Sequence, residues 1–470
     1  MFFNSYAFLF AFLPVIWLVY TLLSGHPRAG VWWMVAASLF FYAMYRVEDV
    51  PLLLGSIAFN YGISLLIVRF PGRKWLPALG IAGDLAALAV FKYNKAAAAM
   101  MPDSSLAGAI ANLHFPLGIS FFTFSQIAYL VDTYKRKDRP CGIGDYSLFV
   151  TFFPHLLSGP ILRHRVMVPQ FESRIRHRVL PHNLARGLGL IVTGLAKKVL
   201  IADLLAPLVA RTFDPARPLD MATAWIGTTA YTFQLYNDFG GYCDIASGVS
   251  CLFNIRIPEN FRGPYHSASI QEFWRRWHRS LGAFLRDYVY IPLGGNRAGL
   301  FRQCAAVIIT FTLGGLWHGA GWTFAFWGLL HGVALTVDVL WKRWGFRLPR
   351  LVGWALTFAF VDLTWVVFRS PDLRVMWKVF GAMFLGLPSV VWSVMQSVPA
   401  LPPAQWLSTP AGIGETALLV AIVLAFAPSY SYRLTAHMKP NAWTASLAAM
   451  FLTLAVLRFS SVSYFLYYFF

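Results

Sequence analysis

Along this chain, apolar runs of roughly 15–20 residues alternate with short polar stretches, and that length is what a helix needs to cross or enter a bilayer. The runs fall near 6–23, 30–45, 51–68, 75–91, 113–131, 184–205, 222–239, 303–316, 321–340, 351–368, 376–395, 413–428 and 442–458. The runs are continuous. Strands of a membrane barrel would instead alternate apolar and polar over about 10 residues. The pattern predicts an all-α polytopic membrane protein with about 11–13 membrane segments. Pro and Gly inside several runs predict broken or re-entrant helices, tolerated only where protein or water satisfies the freed backbone. Two stretches depart from this rhythm. Residues 158–186 and 253–302 are amphipathic and rich in Arg, Pro and aromatics. They read as interfacial and re-entrant helices on the cytoplasmic face, too short for a soluble domain. No linker, low-complexity tail or internal repeat divides the chain, so residues 1–470 read as a single integral membrane domain.

Composition agrees. Apolar residues make up 58% and charged residues 13%, where soluble domains carry about 25% charged. The net charge of +19 would suggest nucleic acid in a soluble protein. Here the basic residues cluster in short loops, as the positive-inside rule expects, and no nucleic-acid motif accompanies them. The strongest basic loops, with Arg69, Arg73 and Lys74 and with Lys135, Arg136, Lys137 and Arg139, follow odd-numbered spans. They place those loops in the cytoplasm and the N-terminus outside. The first run lacks the basic flank of a cleaved signal and reads as a retained helix. Cys141, Cys243, Cys251 and Cys304 show no metal-ligand spacing and read as small buried residues.

Ionisable groups inside a membrane domain are costly, so those that occur are functional candidates. They gather in LSGPILRHR (157–165), in FWRRWHRSLGAFLRDYVYIPLGGNR (273–297) and in TLGGLWHGAGWTFAFWGLLHG (312–332). His318 suits proton transfer, because its unperturbed pKa of about 6.5 lies near operating pH. Gly314, Gly315, Gly319 and Gly321 around it permit close approach of a substrate or a helix. A histidine hydrogen-bonded between packed helices is the competing reading. It is the better one for His331, 13 residues on and off the same helix face, with Gly-Ala-Gly expected to interrupt the helix between them. In the second stretch Phe273, Trp277, Leu281 and Phe284 mark one face of a helix. Arg275, Arg276, Arg279 and Arg286 alternate with Trp274, Trp277 and Tyr288. They form either a basic amphipathic helix at the headgroups or a cationic lining for a phosphate-bearing ligand such as a coenzyme A tail. His278 can face a cavity there, and Asp287 can pair with Arg286. There is no GxSxG elbow, HExxH zinc motif, P-loop or HxxxxD pattern, which leaves a histidine base as the best-suited chemistry.

At these residues the chain resembles the membrane-bound O-acyltransferases, in the bacterial branch typified by the alginate O-acetyltransferase membrane subunit. The resemblance runs in order through MFFNSYAFLFAFLP, PLGISFFTFSQIAYLVDTY, FFPHLLSGPILR, YNDFGGYCDIASG, NFRGPYHSASIQEFWRRWHRSLGAFLRDYVYIPLGGNR, GGLWHGAGWTFAFWGLLHG and the aromatic ending SVSYFLYYFF. It implies a ring of helices around a thinned centre, with the catalytic part at about 113–340. It implies that His318 is the essential histidine and His278 a second one; Trp317, Arg276, Arg286, Asp287 and Tyr288 are the candidate substrate-binding residues beside them. It further implies acetyl-CoA as the acetyl donor, no permanently bound cofactor and no metal. The acceptor is then a polysaccharide such as alginate, acetylated directly or through a periplasmic serine-esterase-like (SGNH) partner. The location is the bacterial inner membrane, among lipid and away from nucleic acid. The oxyanion donor is left open between the Trp317 indole and backbone near Gly319. A transporter, or a non-catalytic assembly subunit of a polysaccharide export system, is the alternative class; it predicts inverted repeats or acidic coupling residues.

Overall fold

The computed structural model describes residues 1–100, 107–136, 140–173, 178–385, 409–427, 430–459 and 466. Most of the SVSYFLYYFF ending, the second half of the 376–395 run, Lys137 and Arg139 lie outside them. The described residues are helical, with no strand. Among the described residues, six helices are long and apolar enough to cross a membrane: Ala7–Gly25, Val47–Arg69, Trp75–Lys92, Leu300–His318, Trp322–Arg343 and Arg350–Arg369. Gly412–Ala425 and Ala442–Leu457 are apolar but shorter. Among the described residues, that criterion finds fewer spans than the sequence pattern suggests. The reason is visible in the runs at 184–205 and 222–239, which are helical but carry polar groups.

By contacts the chain divides into two compact units, the first Met1–Ile191 with Cys243–Glu259, the second Val192–Tyr242 with Asn260–Leu466. In the first unit the main helices are α1 (Leu13–Leu22), α2 (Pro27–Ala43), α3 (Val50–Arg69), α4 (Trp75–Lys92), α5 (Ile119–Arg136), α6 (Ile143–Thr151) and α7 (Pro181–Leu195), whose last residues belong to the second unit. Proline stands in the first turn of α1, α2 and α3, where its missing N–H has no intrahelical role. Phe3, Phe8, Phe12, Phe41 and Phe153 interlock at ring separations of 4.8–6.3 Å. Polar side chains on α3 to α6 are threaded together. Asn60 donates to Asp84 at 2.8 Å, Gln126 to Ser56 at 2.7 Å, and Tyr146 to Gln126 at 2.9 Å. A membrane interior demands such internal partners.

The second unit contains α8 (Asp203–Thr212), most of α9 (Met221–Leu252), α10 (Ile270–Arg276), α11 (Arg279–Leu285), α12 (Leu300–His318), α13 (Trp322–Arg343), α14 (Arg350–Arg369), α15 (Leu373–Leu385), α16 (Pro410–Ala425) and α17 (Ala442–Leu457). A π-helical turn, Ala196–Ala202, joins α7 to α8. The YNDFGGYCDIASG segment is polar and glycine-bearing, yet α9 continues through it to Leu252. Polar residues in and just before it are buried in protein and bonded there. Thr232 donates to Asp362, Asn237 to the Phe233 carbonyl, and Lys198 to Asp238 at 2.6 Å with Asp203 at 2.9 Å. A helix enclosed by protein need not be apolar all round.

α12 and α13 form a tight hairpin that carries the WHG segment. Gly315 on α12 faces Gly328 on α13. A methyl on Gly315 would lie 2.2 Å from the Phe324 carbonyl oxygen, and one on Gly328 would lie 2.3 Å from that of Phe311. The space these glycines leave is therefore filled by the partner helix, not by a ligand. The pair works as small-residue contacts do between membrane helices, bringing two backbones together.

Candidate active site

His318 is the last residue of α12, and Gly319 to Gly321 interrupt the helix before α13 begins at Trp322, as the Gly-Ala-Gly sequence predicts. The ring is 3% exposed and enclosed by aromatics. Trp317 stands 4.8 Å away, Trp327 5.3 Å and Phe368 5.2 Å, all edge-on. Phe324 packs onto Gly319, where a methyl would collide with its ring at 2.2 Å, and also meets Phe368 at 5.1 Å.

The second histidine arrives from a broken helix. The sequence reads Phe273, Trp277, Leu281 and Phe284 as one helical face, and all four are buried. The helix, however, stops at Arg276 and restarts at Arg279. Between them Trp277 is extended and His278 adopts a left-handed conformation, φ 40° and ψ 53°. That conformation is uncommon for a residue with a Cβ, though histidine is among the types enriched there. Surrounding bonds hold it. α10 opens on a Ser269-x-x-Glu272 cap, Ser269 accepting from the Glu272 N–H and Glu272 accepting from the Ala268 N–H. Asn260 receives the N–H groups of Ser280, on its side chain, and Arg279, on its carbonyl; Arg262 N–H bonds the Arg276 carbonyl. The break turns His278 inward, fully buried, with Phe239 4.8 Å away and Trp317 6.4 Å away. Both histidines thus pack on Trp317, and the structure brings His318, His278 and Trp317 together.

The other expected residues sit differently. Arg276 is held by Glu272 at 2.7 Å and by the Arg262 carbonyl at 3.2 Å. Arg286, Asp287 and Tyr288 lie on a π-helical turn, Arg286–Tyr290, that follows α11. Arg286 is exposed and forks onto Asp287 at 2.7 and 3.3 Å. Leu285, just before this turn, is the side chain that meets α12 at Gly314.

His331 is bonded at both nitrogens. Trp274 Nε1 donates to its Nδ1 at 3.2 Å, and Thr364 Oγ1 lies 3.1 Å from its Nε2. Thr364 gives its own proton to the Val361 carbonyl. Nδ1 must therefore accept, the ring proton must sit on Nε2, and the imidazole is a neutral structural link between α10, α13 and α14. Sequence reasoning missed what lies between the two histidines. Trp327 touches His318 and also His331, 4.8 Å away, and packs on Trp274 and Trp365. The signal was available: Thr323, Trp327 and His331 recur every four residues on one face of α13.

A profile of the membrane-bound O-acyltransferase family matches residues 31–363. The chain belongs to this family. The acyltransferase is 42% identical over 431 residues to a peptidoglycan O-acetyltransferase of Helicobacter pylori, covering 83% of this chain and 80% of that protein. It is 41% identical over 397 residues to a probable alginate O-acetylase of Pseudomonas aeruginosa, covering 82% and 75%. A teichoic acid D-alanyltransferase of Streptococcus thermophilus is more distant, 31% identical over 239 residues, covering 48% and 57%. The acyltransferase is thus a multi-pass membrane enzyme of O-acyl transfer, and the transporter and non-catalytic readings fall away.

Proposed function

We propose that the enzyme moves an acetyl group from acetyl-CoA, presented from the cytoplasm, to a hydroxyl destined for an extracytoplasmic polysaccharide such as alginate or peptidoglycan. The observation that carries this reading is the buried His318, enclosed by aromatics and sharing Trp317 with His278, in a chain that relatives named for acetyl transfer match over 82–83% of its length. His318 takes the proton of the acceptor hydroxyl as its oxygen attacks the thioester carbonyl carbon. The new C–O bond forms, an oxyanion develops, and its collapse breaks the C–S bond. The proton held on His318 then passes to the leaving thiolate of coenzyme A. A base so placed contributes about 10²–10⁴-fold. Burial keeps water from competing as acceptor and strengthens each polar interaction with the developing charge.

In this reading His278 is the second catalytic histidine and Trp317 the wall the two share. The stretch with Arg276, Arg286, Asp287 and Tyr288 meets the coenzyme A phosphates, and the catalytic part spans about 113–340 of one acyltransferase chain. The enzyme resides in the bacterial inner membrane. A periplasmic SGNH-type partner takes the acetyl group onward where the sugar is not itself the acceptor. The test is transfer of label from radiolabelled acetyl-CoA in membranes expressing the protein, with polysaccharide or a periplasmic SGNH protein added. Label on either acceptor supports the reading; label on neither, with protein present and folded, contradicts it.

A further inference from the structure

Two buried polar groups on α13, the helix that follows His318, have no hydrogen-bond partner among the described residues: the indole N–H of Trp327, whose ring packs on His318, and the hydroxyl of Thr323. Both residues are 2% exposed. They stand one turn apart on the same face of α13, and the Trp327 ring is 5.3 Å from that of His318. Some neighbouring groups behave otherwise. The Trp274 indole is spent on His331. Thr310, Thr357 and Thr364 donate their hydroxyls to carbonyls in the preceding turn of their own helices. Thr323, second residue of α13, has Gly319 four positions back, outside the helix. A buried donor left unbonded is expensive, and native structures seldom retain one without a use.

Resting on the acetyl-transfer reading above, we propose that Trp327 Nε1–H and Thr323 Oγ–H form the oxyanion site. They donate to the thioester carbonyl oxygen as it gains the electron pair, and release it when the C–S bond breaks, while His318 carries the acceptor's proton. The location suits the charge. Thr323 lies in the first turn of a 22-residue helix, where the helix dipole favours a negative group. The low-polarity aromatic wall increases the effect of each donor. This assigns the oxyanion to α13 and not to the Trp317 indole or to backbone near Gly319.

The test compares wild type with Trp327→Phe, which keeps a ring and loses the N–H, and with Thr323→Val and Thr323→Ser. Initial rates of label transfer from radiolabelled acetyl-CoA to the polysaccharide of the same membranes give kcat and KM, and thermal unfolding in detergent reports folding. Loss of one oxyanion donor lowers kcat by about 10²–10³-fold in well-studied cases. Trp327→Phe is expected to fall by about 10²-fold in kcat, with KM for acetyl-CoA within about twofold. Thr323→Val falls by at least about tenfold, and Thr323→Ser recovers most of the rate. If Trp327→Phe unfolds, the Val and Ser pair decides alone. Active wild type with Trp327→Phe or Thr323→Val above half its kcat, or losses confined to KM, overturns this assignment and leaves the acetyl-transfer reading intact. A folded wild type that moves no label overturns both.

Discussion

Replacing Gly328 by Ala should damage activity from within the hairpin, without touching a reacting group. The added methyl would lie 2.3 Å from the Phe311 carbonyl oxygen and 3.1 Å from the Gly315 Cα. Ordinary contact begins at 3.4 Å, so α12 and α13 must part by about 1 Å, and overpacking of this kind costs about 1–3 kcal/mol. The obstacle is backbone that no side-chain rotation can move, so the upper end of that range applies. Trp327 is the residue next to Gly328, and His318 lies one turn from Gly315, so the opening falls on the 5.3 Å contact between the two rings. A misplacement of about 1 Å can cost 10²-fold in rate. Gly328→Ala is therefore expected to lower the unfolding temperature in detergent and to reduce label transfer by about 10–100-fold at matched membrane levels. The control is Gly381→Ala on α15, where an added methyl meets nothing within 4 Å. There the same change removes a helix-interior glycine and should stabilise by up to about 1 kcal/mol, with activity unchanged. A Gly328→Ala protein with wild-type unfolding temperature and rate would refute the claim that close helix approach sets the site.

Other outcomes follow from single contacts. His331→Ala removes the acceptor of the buried Trp274 N–H, and should cost about 1–3 kcal/mol by denaturation, seen as a lower unfolding temperature with some residual transfer. Equal stability would mean the Trp274–His331–Thr364 chain is not structural. Lys198→Met strands Asp238, which it meets at 2.6 Å; breaking such a buried pair costs about 3–5 kcal/mol. Poor accumulation in membranes is expected, with partial recovery in Lys198→Met with Asp238→Asn, and normal accumulation of the single variant would contradict it. Asn260→Ala frees the Ser280 N–H at the His278 break, so stability should fall by about 1 kcal/mol and transfer should fall with it. Unaltered transfer would detach the geometry of this break from catalysis.

The helical membrane class was legible in the lengths of the apolar runs, and the helix break after His318 in Gly-Ala-Gly. The aromatic and histidine content of the site was legible too, because buried ionisable groups stand out against lipid-like sequence. Less legible were features set by tertiary contact. The 3.6-residue spacing of Phe273, Trp277, Leu281 and Phe284 concealed the break at His278, since each remains buried on both sides of it. Asn260, 18 positions upstream, holds that break, and no local pattern announces it. The run at 222–239 was legible, but its extension to Leu252 was not, and periodicity cannot see that Thr232, Asn237 and Asp238 find partners. Arg276 appeared as an open cation, whereas Glu272 stands against it; the pairing of Arg286 with Asp287 was already open from their adjacency. His318 and His331 do not share a face along one helix; the hairpin brings both against Trp327.

The most direct test of the central claim is the rate of acetyl transfer by His318→Ala beside wild type, at equal membrane levels and equal unfolding temperature, with radiolabelled acetyl-CoA. The account predicts a rate lower by about 10²–10⁴-fold. A folded His318→Ala protein that transfers at the wild-type rate would contradict it.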